Sequence, residues 1–197
     1  MKKALVFITF VLSLLPAAAQ FNTNRLLATG RNALYYEDYV LSIQYFNQAI
    51  NAKPYLYEPW YLRGIAKFYL DDYTGAGLDV DKAIALNPYI AGMYELKGLC
   101  CIRLKQYDKA ISAYDKTIQI DTQNQGAWYN RALCRIETKD YAHAQSDLDQ
   151  MLGKWKKYAP AYSLKAEVCL LQKDTAQAAQ WLDKSLEIDP YDGSAWA

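Results

Sequence analysis

The chain has 197 residues, with 22 Lys and Arg against 21 Asp and Glu and 52% apolar residues. A balance this close to neutral provides no basic field for nucleic acid and no acidic tail, and the apolar content is too high for a disordered chain. Prolines and glycines are few, at 6 and 9, as long helices require, while the 18 tyrosines are many; a tyrosine ring buries a large area and leaves its hydroxyl wet, which suits helix interfaces and binding surfaces.

The first residues stand apart. Lys2 and Lys3 precede an uncharged apolar run from Ala4 to Leu15, Pro16 breaks the run, and Ala17, Ala18 and Ala19 supply small side chains before Gln20. This order predicts a secretory signal peptide over residues 1–19, a mature chain over 20–197, and export to a bacterial periplasm or cell envelope. An uncleaved anchor is the alternative, but the run is shorter than the ~20 residues that span a bilayer. No Cys follows it closely, which argues against a lipid anchor, and no later segment reads as a membrane span once the signal is cleaved.

Beyond the leader one period dominates. Leu26, Trp60, Tyr94, Trp128, Tyr162 and Trp196 fall in phase, and so do four further columns. Gly30, Gly64, Gly98, Ala132 and Ala166 are small; Tyr39, Tyr73, Tyr107 and Tyr141 are aromatic, with Thr175 fifth; Ser42, Ala76, Ala110, Ala144 and Ala178 are small; Phe46, Val80, Tyr114, Leu148 and Leu182 are large and apolar. Five columns in register over five units mark tandem repeats of about 34 residues.

Each unit reads as two helices. The first starts near the first aromatic column, as over Trp60–Leu70, with Pro59 and Pro160 near helix starts, where a missing N–H is tolerated. A mostly polar pair follows: Glu37-Asp38, Asp71-Asp72, Lys105-Gln106, Lys139-Asp140 and Lys173-Asp174. Its Asp residues are suited to cap the second helix. Pro54, Pro88 and Pro190 end repeats one, two and five. Small residues let two antiparallel helices approach closely while aromatics fill the space around the crossing.

These columns resemble the tetratricopeptide repeat family, whose pattern runs W-x2-L-G-x2-Y, then A-x3-F, then P. The nearest stretches are WYLRGIAKF at Trp60–Phe68 and YTGAGLDVDKAIALNP at Tyr73–Pro88. The resemblance implies an all-α solenoid of five helix-turn-helix repeats (23–56, 57–90, 91–124, 125–158, 159–192) with the start of a sixth at 193–197. It also implies a concave surface of first helices that binds a peptide or protein segment. The chain departs from the family in places. The Leu before the first small column is replaced by Thr29, Arg63, Lys97, Arg131 and Lys165, and the first-helix Tyr by Ala33, Lys67, Cys101, Arg135 and Cys169. Gly153, in the segment GKWKKYAP, is expected to end the second helix of repeat four early, and Thr175 to loosen the fifth turn.

On the family's groove positions the chain carries Leu27, Tyr61, Glu95, Tyr129 and Ser163; then Arg31, Ile65, Leu99, Leu133 and Glu167; then Tyr35, Tyr69, Arg103, Glu137 and Leu171. Arg31, Tyr61, Ile65, Tyr69, Leu99, Arg103 and Tyr129 are the expected partner-binding set, suited to an extended or helical segment with apolar anchors and an acidic group. The clamp by which some relatives hold a C-terminal carboxylate is absent: its positions hold Leu27, Arg31, Leu62, Gly92 and Leu96 in one alignment, and Tyr61, Ile65, Leu96, Gly126 and Asn130 in the other.

Chemistry has little to stand on. The single His143 sits on a second helix, which leaves no triad. Asp71, Asp72, Asp147 and Asp149 read as caps and solvated faces, and TGAGLD at Thr74–Asp79 lies inside a helix rather than in a phosphate loop. Cys100, Cys101, Cys134 and Cys169 lack both metal-ligand and disulfide-framework spacing and read as buried thiols. No enzyme, cofactor or metal is expected. The sequence therefore predicts an exported interaction scaffold, in association with envelope complexes. The alternatives are the docking or sensing arm of a larger protein continuing past Ala197 and, more remotely, a carbohydrate binder.

Overall fold

The computed structural model describes residues 22–191, so the leader over 1–19 and the sixth-repeat start at 193–197 lie outside the described residues. Among those residues there are helices and no strands. Residues 22–35 form α1. Then follow α2 (Tyr39–Ala52), α3 (Tyr57–Tyr69), α4 (Tyr73–Leu86), α5 (Ala91–Arg103), α6 (Tyr107–Ile120), α7 (Gln125–Glu137), α8 (Tyr141–Lys154), α9 (Ala159–Leu171) and α10 (Thr175–Ile188). The expected all-α class of tandem helix pairs is what is seen. The chain divides into two compact units, one up to Leu96 and one from Lys97 onward.

One turn recurs at every hairpin. Glu37, Asp71, Lys105, Lys139 and Lys173 all adopt positive φ, between 56° and 66°. Around each, the backbone closes the first helix with two bonds. In the first hairpin Glu37 N–H donates to the Leu34 carbonyl and Asp38 N–H to that of Ala33. The same pair of bonds recurs at Asp71/Asp72, Lys105/Gln106, Lys139/Asp140 and Lys173/Asp174. This is a Schellman closure built on non-glycine residues. The residue after the left-handed one then opens the second helix: Asp38, Asp72, Asp140 and Asp174 accept from the N–H of Leu41, Gly75, His143 and Gln177. Gln106 makes no such side-chain bond.

The turn fixes which residues face each other. The small column of the first helix meets the large apolar column of the second. A Cβ added to Gly30 would lie 2.6 Å from Phe46, one on Gly98 2.6 Å from Tyr114, and one on Gly64 3.1 Å from Val80. In the fourth and fifth repeats Ala132 and Ala166 are fully buried, with Leu148 buried in the core that holds Ala132 and Leu182 packed against the cluster around Ala166. The first aromatic column closes the loops between repeats. Trp60 Nε1 donates to the Pro54 carbonyl at 3.0 Å, Tyr94 Oη to Pro88 at 3.2 Å, Trp128 Nε1 to Thr122 at 3.2 Å and Tyr162 Oη to Lys156 at 3.1 Å. Aromatics at this column thus bond the loop carbonyl whether or not the loop carries proline.

Three local expectations need correction. The second repeat's first helix begins at Tyr57, a turn before Trp60, because Pro59 is still within the first turn, where no N–H is needed. Gly153 does not end α8, which runs to Lys154 with the same 14 residues as the other second helices. The fully buried Met151 anchors its last turn, and one glycine's weak helix propensity of about 1 kcal/mol does not override that packing. Nor is the fifth turn loosened: with Thr175 in place of Tyr it keeps the left-handed Lys173, both closing bonds and the Asp174 cap.

Two glycines separate packing from propensity. Gly98→Ala should lose about 1–3 kcal/mol by driving a methyl into the buried Tyr114 ring. Gly77→Ala, with nothing within 4 Å of the added carbon, should gain about 0.5–1 kcal/mol. Ala110→Leu, at a fully buried crossing, should also lose about 1–3 kcal/mol. Chemical denaturation reads all three; equal effects at Gly98 and Gly77, or an unchanged midpoint for Ala110→Leu, would contradict the packing described.

Candidate functional site

The residues that depart from the family pattern build two charged supports. In the first unit Arg63 grips Asp79 of α4 with Nε and Nη2, at 2.7 and 2.6 Å, and Lys67 adds a third contact at 2.9 Å. Its Nη1 reaches back to Asn47 of α2. In the second unit Arg131 grips Asp147 of α8 at 2.9 and 2.6 Å, Arg135 joins at 2.6 Å, and Arg131 Nη1 reaches Asp115 of α6 at 2.7 Å. Each arginine therefore ties its own first helix to two second helices. Both also lie 4.9 Å over a tryptophan of the same helix, Trp60 or Trp128. Burial opposes the charge of Arg131, but the Asp147 and Asp115 carboxylates outweigh it and raise its pKa.

This corrects the reading of Asp147 as part of a solvated face. It is 1% exposed and held by two guanidinium groups, as Asp79 is held by Arg63 and Lys67. Asp149 does face solvent and pairs with Lys165. Asp72 is a cap, whereas Asp71 is the left-handed turn residue and accepts from the Tyr73 hydroxyl.

In the first unit the expected surface residues fall on neighbouring first helices. Tyr61, Ile65 and Tyr69 follow one another at four-residue intervals down one face of α3. Tyr61 and Ile65 are half-buried, and Tyr69 is 60% exposed. Arg31 of α1 is exposed and ion-paired with Glu58 at the start of α3. Arg31, Leu34, Tyr35, Glu37, Tyr39 and Tyr69 line an open pocket of about 360 Å³, in which the Tyr39 and Tyr69 rings stack at 5.1 Å. The Tyr61 hydroxyl lies so close to Gly92 that a Cβ there would be 2.8 Å away. Burial, and then the Glu95 carboxylate, raise the Tyr61 pKa, so the phenol stays a donor at neutral pH.

In the second unit Leu99 is half-buried and Arg103 exposed on the last turn of α5. Tyr129 and Leu133 pack against the core yet remain half-exposed, and Tyr129 meets Tyr158 edge to face at 6.0 Å. Two members of the expected column are not surface at all. Leu27 is buried against Phe46 and Ala49, and the Ser163 hydroxyl is buried in a bond to Ser185.

Groups with chemical potential are otherwise dispersed. No group of three or more His, Cys, Asp or Glu suited to a metal is found among the described residues. His143 is exposed with Nδ1 2.8 Å from the Asp140 carboxylate, and its hydrogen bond lowers the Asp140 pKa. All four cysteines are buried without a disulfide, and burial pushes the Cys134 thiol up to about 12. No described helix is long and apolar enough to cross a membrane.

The charged supports predict unequal responses to truncation. Asp147→Ala leaves two guanidinium groups facing a buried gap and should lose about 3–5 kcal/mol. Asp115→Ala, at a half-exposed side chain, should lose less than about 1 kcal/mol. Urea denaturation compares them, and equal losses would refute the supporting role of Asp147.

Comparison with known proteins agrees with this architecture. Two family models described as tetratricopeptide repeat match residues 61–125 and 135–197, together more than half of the chain. No match was found among curated proteins. Among solved structures the chain is similar to YrrB, described as a TPR protein with an unusual peptide-binding site (TM-score 0.79, 14% identity, 87% of this chain and 88% of that one). It is similar to MamA from Desulfovibrio magneticus RS-1 (TM-score 0.82, 17% identity, 87% and 97% covered). It is also similar to PilW, a type IV pilus biogenesis factor (TM-score 0.70, 19% identity, 84% and 77% covered). The repeat columns, the hairpin geometry and the two family matches together place this chain in the tetratricopeptide repeat family.

Proposed function

We propose that the chain is an exported, non-catalytic scaffold that binds a peptide or protein segment on the surface of its first helices. The observation that carries this reading is the pocket where the exposed Tyr35 and Tyr69 rings, the half-buried Tyr39 ring and the Arg31 guanidinium come together. Aromatic and arginine side chains on a pre-formed surface are the usual anchors of protein recognition. Tyr61 and Ile65 extend that surface along α3, and Leu99, Arg103 and Tyr129 form its counterpart in the second unit. The peptide-binding site for which YrrB is named supports a peptide as partner class.

Peptides selected by display on the purified chain test the assignment. Tyr69→Ala and Arg31→Ala should each weaken a selected peptide by about tenfold, as removing an interface anchor does. Leu78→Ala, an exposed position on α4, should leave binding unchanged. A peptide that tolerates Tyr69→Ala, Arg31→Ala, Tyr61→Ala and Tyr129→Ala alike would refute the surface.

Export rests on residues 1–19, whose basic start, apolar run and small-residue end are those of a signal peptide. Expressed in a bacterium, the chain should be recovered from the periplasm with Gln20 at its N-terminus. An intact Met1 on a cytoplasmic product would rule the export reading out; mass spectrometry of the fractions decides.

A further inference from the structure

The segment between the fourth and fifth repeats differs from its counterparts, although its Trp155 and Tyr158 rings also pack against the core. The first repeat has Lys53 directly after its second helix, and the other three counterparts have an Asx residue: Asn87, Asp121 and Asp189. Their side-chain oxygens accept from the N–H of Tyr89, Gln123 and Tyr191 at 3.2, 2.9 and 3.0 Å. That acceptor fixes the turn locally. At the same column the fourth repeat has Trp155, which accepts nothing there, with a lysine on either side. Three residues on, Tyr158 leads into α9 with no side-chain cap, as Leu56 does into α3, whereas Asn124 caps α7. The turn acceptor of three other loops has given way to an aromatic ring flanked by cations, the kind of local rule-breaking that marks a functional position.

What replaces them forms a concavity. Gln125, Lys154, Trp155, Lys156, Lys157 and Tyr158 line a pocket of about 460 Å³ that holds three ammonium groups and no carboxylate. Lys154 is held in place, donating to the Thr122 carbonyl at 2.9 Å and lying over the Trp128 and Trp155 rings. Lys156 and Lys157 are exposed and form no ion pair among the described residues. Trp155 and Tyr158 are half-buried walls, and Tyr158 rests against Tyr129.

We propose that this pocket is a second docking site, for an acidic protein segment that alternates carboxylates with apolar side chains. The charge calls for anions, and the aromatic walls call for an apolar side chain between them. Half-buried rings set beside exposed lysines accept apolar side chains from a peptide, whereas insertion into an anionic bilayer needs projecting apolar side chains. The site uses the loop edge of the second unit and adjoins Tyr129 of the first-helix surface.

Fluorescence anisotropy of a labelled peptide alternating Glu and Leu, titrated with the purified full chain, tests this. Binding should saturate, weaken with added salt and be absent for the matching Lys-Leu peptide. The double variant Lys156→Glu/Lys157→Glu should bind about tenfold or more weakly at an unchanged melting temperature, since both side chains are exposed. Trp155→Asp should also lose binding; its ring packs against the core, so the double lysine variant, at exposed side chains, carries the stability control. Leu78→Ala, at an exposed position of α4 outside both surfaces, should have no effect. Undiminished binding by the double lysine variant would overturn the proposal. So would tighter, equally lysine-dependent binding to phosphatidylglycerol vesicles, which would assign the patch to a membrane surface.

Discussion

Everything in this chain hangs on a single residue per repeat that ends one helix and begins the next. The backbone N–H of Asp38, Asp72, Asp140 or Asp174 closes the first helix, and the same residue's carboxylate opens the second. The preceding residue must be left-handed, which costs a non-glycine residue on the order of 1 kcal/mol. The chain accepts that cost five times. Because the two helices share a residue, no slack separates them, and the small residue of one always meets the large residue placed sixteen positions later in the other. Gly98 under Tyr114 shows how little tolerance remains.

A rigid hairpin then determines where charge can be buried. Arg63 and Arg131 sit where the family carries leucine, a position turned toward two second helices at once, so each meets a carboxylate on its own repeat and a polar side chain on the one before. Removing either partner would strand the other, which makes the arrangement demanding and also specific about how adjacent helices align. With packing and alignment handled by these columns, the proposed recognition surface falls to aromatic rings that keep some exposure. The loop at Trp155 goes further and gives up its own turn acceptor for lysines and rings.

The sequence was most legible where residues repeat because they pack. The small, aromatic and large columns announced the hairpins and their register, and the Asp residues announced four of the five caps. The left-handed turn positions were not legible, since Glu, Asp and Lys carry no sign of positive φ and only the closed hairpin reveals it. Asp147 looked solvated because its neighbours in sequence are polar; the partners that bury it lie on another helix. A signal was available in the basic pairs Arg63/Lys67 and Arg131/Arg135, each with an acid the same distance downstream. Of the expected binding surface, Tyr61, Ile65, Tyr69 and Tyr129 kept some exposure, but the column that holds Tyr61 and Tyr129 is internal at Leu27 and Ser163, where the second helix of the same repeat covers it. GKWKKYAP read as a distortion of α8; the helix is undistorted, and the unusual residues line a pocket instead.

The proposed function requires that partners be bound by the first-helix surface. Photocrosslinking tests it most directly, with a photoreactive amino acid placed in turn at Tyr61, Tyr69 and Tyr129, and at Leu78 on a second helix. In an envelope extract the first three positions should form the same discrete adducts, displaced by a selected peptide, and Leu78 should form none. Adducts at Leu78 alone, or adducts at the tyrosines that the peptide does not displace, would contradict it.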